Sequence, residues 1–130
     1  MITVTATFTG GTPSGIAANL SEWRGIATSA ALDASAGKTG SSNTPATGTA
    51  TTSVAKDLVV GAAAQTGQLT ISSGPTNSFS QLTEALTTGS NGNINVMSAY
   101  QIESATGSYS TSWTLSGSNK WAGSIASWHQ

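Results

Sequence analysis

A chain of 130 residues and 12.9 kDa has room for one domain. It holds no cysteine, which excludes disulfides and thiolate metal sites. Only 7% of residues are charged and the formal net charge is −1, so Arg24, Lys38, Lys56 and Lys120 cannot form the basic patch that a nucleic-acid partner demands.

Serine and threonine contribute 21 residues each and glycine 15, yet 37% of the chain is hydrophobic and four residues are tryptophan. That balance is too apolar and too weakly charged for a disordered segment, so the chain is expected to fold. No apolar run approaches the ~20 residues that cross a bilayer, and membrane insertion is not expected. Met1 is followed by alternating Ile-Thr-Val-Thr, which does not read as a secretory leader.

Period-two alternation dominates the local pattern. In 2–9 (ITVTATFT) apolar residues take even positions and threonines odd ones, the pattern of a strand with one wet face. The run 10–15 (GGTPSG) breaks it with turn residues. A second strand is predicted over 16–24. From 25 to 48 the chain is small, polar and aperiodic, and a long loop is predicted; 27–36 could hold a helical turn but lacks an apolar face. Strands are predicted again at 47–53 and at 57–63, whose run is apolar on both faces and so belongs inside a sheet. A shorter candidate covers 68–72, and 79–87 comes next. The Asn91-Gly92 pair that follows favours a tight hairpin.

In the last third, Ile94, Val96, Ser98, Tyr100 and Ile102 share one strand face. Across a turn at 105–107, Tyr109, Thr111, Trp113 and Leu115 share another, and a final strand runs from 121 or 122 to 128. About eight or nine strands, with turn signals every 8–12 residues and no crossover helix, predict an all-β antiparallel sandwich of jelly-roll or immunoglobulin-like type.

Few residues suggest chemistry. Glu22, Asp33, Asp57, Glu84 and Glu103 do not cluster in sequence. Glu84 with Glu103 is the pair a glycoside hydrolase would use, one as acid and the other as base or nucleophile. His129 is the single histidine and stands next to the last residue, where chains fray; no G-x-S-x-G elbow accompanies it. One histidine cannot alone assemble a transition-metal site. Loop carbonyls with Asp33, Asp57 or Asn91 could ligate calcium, but no D-x-D-x-D-G loop occurs. Lys56 with Glu103 is the one combination to test for an isopeptide bond. No catalytic, metal or cofactor site is therefore assigned from the sequence.

Trp23, Trp113, Trp121 and Trp128 are the most informative side chains. Each brings a large apolar area to a core otherwise made of Ala, Val, Ile and Leu, or to a contact between subunits. The functional alternative is that one or two stack on sugar rings from the surface.

Four segments, 2–11 (ITVTATFTGG), 18–26 (ANLSEWRGI), 51–62 (TTSVAKDLVVGA) and 107–128 (GSYSTSWTLSGSNKWAGSIASW), together resemble the later part of Ser/Thr/Gly-rich β-sandwich domains of large secreted bacterial proteins and some phage structural proteins. These are strand-and-turn motifs and carry no catalytic residues. Such domains usually begin with further strands, so the resemblance implies open sheet edges, to be covered by rearrangement, by another copy or by a partner's strand. The expectation is a non-enzymatic structural or adhesive module, extracellular or on a virion surface, forming a homo-oligomer or repeating lattice. A glycan-binding module is the alternative and a glycoside hydrolase the second alternative.

Overall fold

A computed structural model describes residues 3–7, 9, 15–87 and 92–130. Among these residues the protein is all-β: ten strands in antiparallel sheets and no helix. Four strands are long: β1 (Leu32–Ser42), β3 (Asp57–Thr66), β7 (Ile94–Ile102) and β10 (Asn119–His129). They form the main sheet in the order β1-β10-β3-β7. Two short strands, β5 (Ser80–Gln81) and β6 (Ala85–Leu86), pair with the far side of β7. Against one face lies a layer of short pieces. There β2 (Ala50–Thr51) pairs with β8 (Ser108–Tyr109), β4 (Ile71–Ser73) with β9 (Thr114–Leu115), and Ala46 bridges Ser112. The two layers make a sandwich.

Register sorts the side chains. Ile125 stands opposite Gly61, and Gly61 opposite Ala99, so these residues and those two positions away face the second layer. Val59, Ala63, Met97, Ala99 and Ile125 meet Ala50, Phe79, Trp113 and Leu115 there to form the core. Glycine is required where the layers touch most closely: a Cβ on Gly123 would lie 2.2 Å from the Ala46 carbonyl oxygen. The other face of the sheet carries Val60, Ala62 and Ala64 of β3, Val96 and Ser98 of β7, and Ala122, Ser124 and Ala126 of β10. The extended arm 15–27 crosses part of that face. Asn19 Nδ2 donates to Val96 O at 3.3 Å and to Ser98 Oγ at 3.2 Å, Trp23 packs on Tyr100 with ring centroids 4.8 Å apart, and Ala27 N donates to His129 O at 2.9 Å. This cover accounts for the 1% exposure of Leu58 on the outer face. The predicted apolar run at 57–63 does lie inside a sheet, because β10 and β7 pair with the two edges of β3.

Several elements differ from the sequence pattern. The stretch 25–48, predicted as a loop, contains β1. Its sequence LDASAGKTGSS has almost no apolar residue to mark a strand, and its place is set by the backbone ladder with β10. Residues 16–24, predicted as a strand, form the arm and pair with none. Of the predicted strand 2–9, residues 3–7 and 9 are exposed and join no strand. Asn91 of the predicted hairpin lies outside the described residues. The run 109–115 alternates as predicted, with Thr111, Trp113 and Leu115 buried, but it splits into β8 and β9.

Candidate functional site

Burial is most expensive for charge, so the buried charged groups mark where to look. Asp57 opens β3 with its side chain fully buried, and its Cα partner across the ladder is His129, the last residue of β10. The His129 Nδ1 lies 3.0 Å from Asp57 Oδ1. Asp57 Oδ2 has no hydrogen-bond partner among the described residues. His129 is not frayed, contrary to the expectation from its position. Its N–H donates to Ala31 O at 2.9 Å and its carbonyl accepts from Ala27, so the arm and β1 hold the end of β10 in place.

A third group joins from β1. Leu32 pairs with Trp128 and Ala34 with Ser127, which leaves Asp33 as the extra residue of a β-bulge. Bulges re-aim a side chain, and here the carboxylate turns back over the sheet end. The displaced Ala34 N–H is satisfied by the buried Ser127 Oγ at 3.1 Å. Asp33 in turn is held by the β2–β3 loop. Its Oδ2 accepts from Ser53 N at 2.6 Å and from Val54 N at 3.4 Å, and its Oδ1 accepts from Ser53 Oγ at 2.5 Å. These bonds, led by the Ser53 hydroxyl, hold the Asp33 carboxyl below its ordinary value against partial desolvation. One ligand-capable atom from each of Asp33, Asp57 and His129 lies within 4.8 Å of the others.

The same end of the sandwich holds Glu103. Its N–H donates to Asp57 O at 2.9 Å, and its Oε1 is buried without a partner. Burial first, and then the Glu103 carboxylate and the charge of Asp57, push the Tyr109 phenol above its ordinary value. Its hydroxyl donates to Ala105 O at 2.7 Å. No lysine or arginine forms an ion pair with this cluster among the described residues; the pairs there are Asp57 with His129 and exposed Glu22 with Arg24.

The carboxylates that meet are not the two singled out from the sequence. Glu84 Oε1 accepts from Asn95 Nδ2 at 2.5 Å, beside the start of β7, whereas Glu103 follows its end. Eight residues of strand separate Asn95 from Glu103, roughly 26 Å at the rise of a strand, so Glu84 and Glu103 do not face one substrate. Lys56 is exposed at the turn before β3, with φ of 66°. Sequence reasoning missed the Asp33–Asp57–His129 cluster because β1 carried no strand signal. The one available signal was that Asp57 starts a central strand and His129 ends the last one, an arrangement that antiparallel neighbours bring together.

The four tryptophans divide. Trp113 is 1% exposed in the core, where Nε1 donates to Gln81 Oε1 at 2.7 Å, and Trp121 is buried with Nε1 donating to Ser42 Oγ at 3.0 Å. Trp23 and Trp128 are half-buried on the outer face and flank an apolar cleft of about 260 Å³ with Ile26, Leu58 and Val60. Ligand stacking, if any tryptophan does it, falls to these two.

β1 is an edge. It pairs with β10 on one side and, among the described residues, with no strand on the other. Comparison with protein-family models, with curated proteins and with solved structures finds no match for this chain.

Proposed function

We propose that the protein is a non-enzymatic structural or adhesive module of a virion or bacterial surface that works by associating with copies of itself. The observation that carries this reading is a donor and an acceptor in one chain. Residues 3–7 (TVTAT) have strand periodicity and stay exposed outside any strand, while among the described residues the eleven-residue edge of β1 has an unpaired ladder side. An extended segment and an open edge satisfy each other's backbone groups when one copy adds its strand to the next. Head-to-tail addition of this kind builds rings or filaments. Low charge favours it, since copies with formal net charge −1 repel weakly. Lys38, exposed within β1, restricts the pairing to registers that leave its ammonium in water. The strand-and-turn resemblance to secreted bacterial and phage sandwich domains supports the location and the absence of a reactive centre.

Light scattering over a dilution series tests it. Mass that rises with concentration, and falls when Val4→Pro removes the strand character of the segment, is the expected result. A monomer at every concentration overturns it.

The Trp23–Trp128 cleft supports a second reading, a glycan-binding module with an apolar platform rimmed by Ser21. Glycan-array binding that is lost in Trp23→Ala, with the fold kept, would favour that reading over self-association.

A further inference from the structure

We propose that Asp33, Asp57 and His129 form a binding site for one divalent transition-metal ion of the zinc class. The inference is independent of self-association and rests on the buried end of the sandwich alone.

Three observations carry it. First, the donor atoms converge, all within 4.8 Å of one another, from three neighbouring strands of a single sheet. The 3.0 Å between His129 Nδ1 and Asp57 Oδ1 is a hydrogen-bond distance, a few tenths of an ångström short of the roughly 3.4 Å between adjacent ligands of a tetrahedral ion, so a slight widening admits the ion between them. Asp33, half-buried on its bulge, is the third donor of the set. Second, the Asp57 side chain is fully buried and its Oδ2 has no partner among the described residues, although a carboxylate out of water needs compensation. Asp33 and Asp57 bring two carboxylates to the spot. One imidazole can offset at most one of these, and no lysine or arginine pairs with them among the described residues. A divalent cation supplies the missing charge at the point where the donors meet. Third, the donors are themselves held. Ser53 and Val54 fix Asp33, and Ala27 and Ala31 fix the His129 backbone, the outer-shell support that keeps metal ligands in place.

The donor chemistry selects the ion. An imidazole nitrogen with two carboxylates suits zinc, cobalt, nickel or manganese. Calcium takes six to eight oxygens and gains nothing from the histidine. Three protein donors leave the remaining positions to water or to a ligand atom from outside.

The composition makes the test unusually clean. With one histidine and no cysteine in the chain, no second imidazole and no thiolate competes. The full-length protein, without a histidine tag, is treated with chelator, dialysed and titrated with Zn²⁺ by calorimetry and with Co²⁺ by visible absorption. The expected result is one ion per chain, with a cobalt spectrum that disappears in His129→Ala. In Asp33→Asn affinity should fall by at least about 10-fold, the loss that even an outer-shell change brings. Unaltered binding in both variants overturns the site. If His129→Ala does not fold, wild-type protein still decides by NMR. Zn²⁺ must shift the ring resonances of the single histidine at one equivalent, and an undisturbed ring overturns the proposal. Stabilisation by Ca²⁺ with none by Zn²⁺ overturns the assignment of ion class.

Discussion

His129 and Asp57 stand directly opposite each other at the closing end of β10 and the opening of β3, and imidazole and carboxylate meet at 3.0 Å. The strand ladder brings together residues 72 positions apart, and the buried acid depends on that partner. Removing the imidazole leaves the carboxylate with neither water nor a donor at Oδ1. His129→Ala is expected to cost about 1–3 kcal/mol. Urea denaturation of His129→Ala, Asp57→Asn and the double variant checks it: the double variant should be less destabilised than the sum of the two.

The pH limits of stability follow from two shifted groups. The Asp33 carboxyl lies below its ordinary value in the folded protein, so between the folded and unfolded values the unfolded chain binds more protons. Its contribution is complete above the ordinary aspartate range near 4 and is lost as pH falls through the folded value. Tyr109 is raised, so its contribution is complete below about 10 and is lost as pH climbs through the folded value. Ser53→Ala should flatten the acid limb of a stability–pH curve, and Tyr109→Phe the alkaline limb. A curve unchanged by Ser53→Ala would show that Asp33 contributes nothing to the acid limb.

Trp113 fills the centre of the core at 1% exposure, with its indole N–H satisfied by Gln81. Trp113→Ala should cost about 3–5 kcal/mol by chemical denaturation. The opposite change, Gly123→Ala, should cost about 1–3 kcal/mol, because a methyl there meets a backbone carbonyl that cannot rotate away.

Strand donation predicts a covalent trace. The chain has no cysteine, so one on the donor segment (Thr5→Cys) and one on the β1 edge (Thr39→Cys), placed on separate chains, report only contacts between copies. Mild oxidation of an equimolar mixture should give the mixed dimer well above its share under random pairing. A purely statistical distribution of the three species would show that segment and edge do not meet.

The arm over the outer face is held largely by Trp23 on Tyr100, and Arg24 beside it has a side chain 91% exposed. Trp23→Ala should speed tryptic cleavage after Arg24, read by mass spectrometry, since cleavage follows local opening when reclosing is fast.

The sequence by itself determined the all-β class and the positions of β3, β7 and β10, because strand alternation is a local property that survives without knowledge of neighbours. Runs such as 57–63 and 94–102 announce a pleat wherever they come to lie. Only the tertiary structure decided that LDASAGKTGSS is a strand, since its place comes from backbone pairing with β10 and from the small side chains of Ala34 and Ala36 packed on the core, which mark a strand only weakly in the sequence. The same long-range pairing brought Asp33, Asp57 and His129 to one point. Register between strands far apart in the chain is a property of the assembled sheet, and a bulge at one residue is enough to redirect a carboxylate.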